Sequence, residues 1–170
     1  NGTSVSDVIN KIVAKCNAHS VDLDVSIHFN SGAEDKNGNG KSTGVEVLVY
    51  KMSGTAYEAA VRICKEIEAL GYKNRGVKQR TDLGVLKKTK APALLVECCF
   101  VDDKDDIDLY NSKSIAKAIA QGILNKKIST PVPKPTPIPI EEIYYRAVSG
   151  SFNNKNNALD RKAKLDKDGF

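Results

Sequence analysis

The sequence contains no tryptophan, and aromatic residues fill only 6% of its 170 positions, so it has no stacking surface of the kind that nucleic acid binders use. Basic charge is not concentrated either. The net charge of +5 divides into about +3 up to residue 128 and about +2 beyond it, too diffuse for a stripe along a phosphate backbone but suited to a polyanionic surface such as a bacterial cell wall. No apolar run approaches the ~18 residues of a membrane span. No signal peptide is visible, but the chain opens NGTSVSDVINK without an initiator methionine, which reads as a cut from something longer. Four cysteines, Cys16, Cys64, Cys98 and Cys99, lack the spacing of a metal knuckle, and the adjacent pair would bridge only with strain, so buried free thiols are expected.

What is present is an apolar content of 41%, enough for a real core. Residues 4–18 place Val5, Val8, Ile9, Ile12, Val13 and Cys16 at helical spacing, with Ser4 or Ser6 as the cap. Residues 22–29 and 44–50 read as strands, separated by a polar loop with four glycines. A helix is expected over 55–70, ended by Gly71. The stretch YKNRGVKQRTD reads as a loop and LGVLKKT as a short element. APALLVECCF follows as a buried central strand, then an acidic turn at 102–106 and a last amphipathic helix over 114–127. Alternating strands and helices predict an α/β fold: a mainly parallel sheet with helices on both faces. Five of the six prolines then fall within nine residues, marking an extended spacer over 128–142. A strand and helix over 143–170 are too small for a core of their own, so a truncated second module is expected.

Two residues invite a chemical reading. In VDLDVSIHFNSG, Leu23, Val25, Ile27 and Phe29 take one face of the strand, and Asp24, Ser26, His28 and Asn30 the other. His28 thus sits near a strand end, where ligands collect in parallel sheets. Glu97 interrupts the apolar run ALLVECCF, and a carboxylate there must be paired, hydrated or protonated. On neighbouring parallel strands the two would share a cleft, as a metal ligand with a general base or as a structural hydrogen bond. His19, ahead of the strand, reads as a surface residue. The acidic run DDKDD lacks the glycine and terminal glutamate of a calcium loop.

SIHFNS, GVEVLVY, NRGVK and APALLVECCFVDDKDDIDLY, in this order and spacing, resemble the zinc-dependent N-acetylmuramoyl-L-alanine amidases. The resemblance covers about residues 2–126. It implies hydrolysis of the bond between the lactyl group of N-acetylmuramic acid and the L-alanine of the stem peptide, with a zinc-bound water as nucleophile. His28 matches a zinc-binding histidine, and Glu97 the glutamate that acts as general base and acid. Asn30, Asn74 and Arg75 match positions bordering the substrate groove. The family's other zinc histidine and its ligand glutamate would precede this sequence, so one Zn2+ ligand remains and the chain as given is expected to be inactive.

YYRAVSGSFNNKNNALDRKAKLDKDGF is similar to the first half of the sporulation-related (SPOR) peptidoglycan-binding domain, of ferredoxin-like α+β fold. Together the two resemblances imply a catalytic domain over 1–127 and a partial binding module over 143–170. Such a protein would work as a monomer in the cell wall, reached by secretion or by release at lysis, and would contact glycan and stem peptide. Two alternatives remain open here: a non-catalytic fragment that only holds peptidoglycan, and a zinc carboxypeptidase acting on the stem peptide.

Overall fold

The computed structural model describes residues 4–128; the expected linker and second module lie outside the described residues from position 129 onward. Helix α1, Val5–Asn17, starts where the Ser4 side chain accepts a hydrogen bond from the Asp7 N–H at 3.2 Å, one of the donors a helix start leaves unpaired. Strand β1, Asp24–Asn30, and strand β2, Val45–Val49, follow. Next come α2, Gly54–Glu68, strand β3, Asn74–Gln79, the single turn α3, Gly84–Lys87, and strand β4, Ala93–Phe100. The acidic turn continues into α4, Lys104–Leu109, and the chain proceeds to α5, Ser112–Leu124. Asn111 caps α5 through the Ser114 N–H, and Asn125, in the left-handed region at φ 52°, ends it.

The sheet order is β1-β4-β2-β3. Two pairings, β1 with β4 and β2 with β3, are parallel, but the central pairing of β2 with β4 is antiparallel. With two of three pairings parallel the sheet is mainly parallel, as expected, but its two parallel halves meet at an antiparallel seam. A correction concerns YKNRGVKQRTD, half of which is strand β3 rather than loop. Tyr72, just before the strand, is in the core, but within β3 only Val77 packs against it, so an edge strand with one inward apolar residue gives almost no alternating signal.

Helices do cover both faces. Against one lies α2, with Ala60, Ile63 and Ile67 packed on Val45, Val47, Val49, Leu94 and Val96, and α5 joins this cluster through Ile115, Ala118 and Ile119. On the other face Leu83, Val85 and Leu86 pack on Leu48, Ala93 and Leu95, around α3, leaving the far end of that face open. The helices α2 and α5 touch at Gly122, where a Cβ would fall 2.6 Å from Ile63 Cγ1 and 2.7 Å from its Cα and N. Two of those atoms belong to the core helix backbone and cannot step aside. Gly122→Ala is therefore expected to lower unfolding free energy by about 3 kcal/mol, read as a fall in the urea midpoint; an unchanged midpoint would show that the helices separate freely.

Candidate active site

Because β4 runs parallel to β1 and antiparallel to β2, the open end of the sheet receives the carboxyl ends of β1 and β4 and the amino ends of β2 and β3. Register then fixes a row across three strands. His28 faces Glu97, and Glu97 faces Glu46 on β2, with backbones about 4.8 Å apart at each step. Partners in register share a face, so an imidazole and two carboxylates stand side by side on the face that α2 does not cover.

The three groups differ in environment. Burial pushes the His28 pKa down, which keeps its imidazole neutral. Burial, and secondarily the charge of Glu46, push the Glu97 carboxyl up; its Oε2 is buried with no hydrogen-bond partner. Glu46 is 8% exposed, and burial works to raise its pKa too. There, however, the hydrogen bonds from Lys78 Nζ at 2.6 Å and Arg75 Nε at 2.8 Å win and hold the carboxyl below the usual range. Asn30 Nδ2 donates to the other oxygen of Glu46 at 3.1 Å. Two neighbouring glutamates with pKa values driven apart are the arrangement in which one carboxyl handles protons while the other stays charged.

Asn30 and Arg75 thus lie at the row. The Arg75 guanidinium also sits 5.0 Å over the Phe100 ring, a cation–π contact that holds it in place. Asn74 lies elsewhere: its amide donates to Glu68 Oε2 on α2 and its carbonyl oxygen accepts from the Gly76 N–H, on the covered face. His19 is exposed beyond α1. Glu46, Lys78 and Phe100 are the residues that sequence reasoning leaves out. A signal for Glu46 exists, since GVEVLVY carries a glutamate within an apolar strand just as ALLVECCF does. Of the thiols, Cys64, Cys98 and Cys99 are buried and free. Burial raises the Cys64 pKa to about 11 and those of Cys98 and Cys99 to about 12, so none is a nucleophile at neutral pH.

The loop from Ser31 to Gly44, beside the row, has little regular structure and is held by the acidic turn. Asp102 accepts from the N–H groups of Gly32 and Glu34, Asp103 from Thr43, and Asp105 from Asn39, Gly40 and Lys41. Asp106, fully buried, accepts from Gly44 and from Phe100 on β4. The acidic run is thus a set of caps for a loop that cannot pair its own backbone. Asp35, Asp103 and Asp105 also lie close enough together to hold a metal ion. Among the described residues no comparable group of three includes His28.

These caps make the loop acid-sensitive. The backbone hydrogen bond from Glu34 leads in holding the Asp102 pKa down. For Asp103 burial pulls upward, but the bonds from Thr43 and Asp106 prevail and its pKa is also depressed. A carboxyl with a folded pKa below its unfolded value contributes stability that is complete above the unfolded value of about 3.9 and is lost as pH falls through the folded one. Amide exchange at Gly32 and Thr43 is therefore expected to accelerate, relative to the core strands, below about pH 4. Equal protection at pH 3 and pH 6 would contradict this.

Neutral imidazole, a raised carboxyl and a fixed carboxylate thus stand together on one face of a mixed sheet, a set with the chemistry to accept and hold a proton. Residues 3–126 match the N-acetylmuramoyl-L-alanine amidase family, and the chain belongs to that family. It is 38% identical over 129 residues to an uncharacterised 38.4 kDa protein of Clostridium perfringens, covering 72% of this chain and 37% of that protein. Identity to the endolysin of Bacillus phage SPP1 is 36% over 126 residues, 71% of this chain and 45% of the endolysin. Among solved structures, the catalytic domain of the CD27L endolysin targeting Clostridia difficile superposes with a TM-score of 0.64 at 35% identity, covering 74% of this chain and 67% of that domain. The chain thus spans less than half the length of the two relatives. No helix among the described residues is long and apolar enough to cross a membrane.

Proposed function

We propose that the protein hydrolyses the amide between N-acetylmuramic acid and L-alanine in peptidoglycan, outside the cytoplasm, with Glu97 as general base and acid and His28 as one ligand of a zinc ion. The observation that carries this is the register pairing of His28 with Glu97 on one open face. A neutral imidazole suits zinc, and the unpartnered Glu97 Oε2 is a buried acceptor in want of a proton or a cation. Zinc, when bound, would supply a Lewis acid that brings the pKa of a water toward about 7.

This chain's own residues do the rest. Glu97, its basicity raised by burial, accepts the proton of the attacking water and returns it to the departing L-alanine nitrogen. Glu46 stays charged beside it and fixes Asn30 and Arg75, which would meet substrate in this reading. Asn74 is not part of the proposed groove, because its amide is engaged with α2. Zinc sites take three or four protein ligands, and His28 supplies one. Residues 1–170 on their own are therefore expected to bind the wall without cutting it, a reading that the donor count favours. The proline-rich stretch 128–142 and the SPOR-like stretch 143–170 would then tether the domain to glycan and raise its local concentration.

Labelled cell walls digested with the full-length gene product, followed by mass spectrometry, test the activity. Released peptides that carry the whole stem with L-alanine at the amino end are expected, together with bound zinc. Stems shortened at the carboxyl end would point to a carboxypeptidase instead, and no release at all would reduce the protein to a wall-binding role.

A further inference from the structure

Strand β3 carries an irregularity whose effect is to gather charge. Val45 pairs with Asn74 and Val47 with Val77, so the single residue Glu46 faces two, Arg75 and Gly76. Gly76 takes φ +79°, a conformation that favours glycine, and its position accounts for the extra residue. In an unbroken strand Arg75 and Lys78 would point to opposite faces. With one residue inserted, Asn74 and Val77 both turn toward α2, and Arg75 and Lys78 both turn toward Glu46. A matching shift on β4 sets Asn30 opposite Phe100, which brings the Phe100 ring beneath the Arg75 guanidinium.

Two cations therefore meet one carboxylate, more than neutralising Glu46 requires. Arg75 reaches Glu46 through Nε alone, and its two terminal nitrogens have no hydrogen-bond partner among the described residues. The side chains of Arg75 and Lys78 are 29% and 45% exposed, so the surplus charge is open to a ligand. A planar fork with free outer donors, held by Nε behind and an aromatic ring below, is suited to a second carboxylate.

We propose that Arg75 and Lys78, brought to one face by the bulge at Gly76 and anchored by Glu46, form a subsite for a carboxylate on the peptide adjoining the amide to be cut. This rests on the amidase reading and adds a selectivity to it: the enzyme distinguishes a stem whose second residue carries a free carboxylate from one in which that group is amidated.

The test uses the 170-residue chain, two muramyl dipeptides that differ only in a free or amidated carboxylate on the second residue, and affinities from NMR titration. The free acid is expected to bind about tenfold more tightly, in line with a charge-assisted hydrogen bond. Lys78→Met and Arg75→Gln should each bring the ratio close to one, and Lys78→Arg should keep it. A purely structural role would not move that ratio. Equal affinities in the wild type, or ratios unchanged by both substitutions, overturn the subsite and leave the amidase reading standing. Failure of either dipeptide and of insoluble peptidoglycan to bind overturns both together, whereas peptidoglycan binding without dipeptide binding overturns the subsite alone.

Discussion

Asp106→Ala is expected to lower the unfolding free energy by about 4 kcal/mol, the largest loss from any single side chain outside the hydrophobic core. Its carboxylate is 0% exposed, and its oxygens lie 3.0 and 3.1 Å from the Gly44 nitrogen and 2.8 Å from the Phe100 nitrogen, with the Ser42 hydroxyl as a further donor. Alanine would strand these donors where water cannot replace the lost acceptor, and each unpaired buried group costs about 1–3 kcal/mol. At Gly44 the chain passes close against the Lys73 backbone, whose O an added Cβ would meet at 1.9 Å. Asp106→Asn, which keeps one acceptor oxygen, should lose about half as much. Urea denaturation of both variants checks the prediction, and a loss below about 1 kcal/mol for alanine would mean that the loop finds other partners.

The second large effect is on chemistry. Glu97→Gln in the full-length gene product is expected to reduce amide hydrolysis by about 10²–10⁴-fold, the range for loss of a general base. Gln preserves shape and a hydrogen-bonding group but cannot accept the water's proton. Zinc content and the unfolding midpoint should stay near wild type, since Glu97 Oε2 makes no hydrogen bond that the fold would miss. Undiminished turnover would remove Glu97 from the mechanism. Loss of zinc in parallel with activity would recast it as a ligand.

The row at the sheet end was half legible in the sequence. His28 stands out as an imidazole on the polar face near a strand's carboxyl end and Glu97 as a carboxylate inside an apolar run, and parallel pairing of β1 with β4 sets them in register. Glu46 carries the same signal as Glu97, but its place is hidden by direction: it lies at the amino end of β2, and only the antiparallel seam brings that end to the site. A strand reads the same from sequence whichever way it runs, because the crossover that decides direction leaves no periodic trace. Lys78 is hidden by the bulge, which changes the face of every residue beyond it and turns NRGVKQ into a strand with no clean alternation. Helices α1, α2 and α5 were legible almost to their ends, since apolar positions at a 3.6-residue period do not depend on where the partner face comes from.

Strand order also governs when the molecule can assemble. β1 has no neighbour in the described sheet except β4, which is also the partner of β2, so its pairing within that sheet waits until β4, last of the four in chain order, has been made. At about 5–20 residues per second, synthesis of the intervening stretch takes several seconds. During that interval Leu23 and Val25, which pack on the core in the finished fold, lack that contact, while among the described residues β2, β3 and α2 already have one another. Among the described residues, vectorial synthesis thus favours a core that closes from its middle outward, with the row of His28, Glu97 and Glu46 completed when β4 joins.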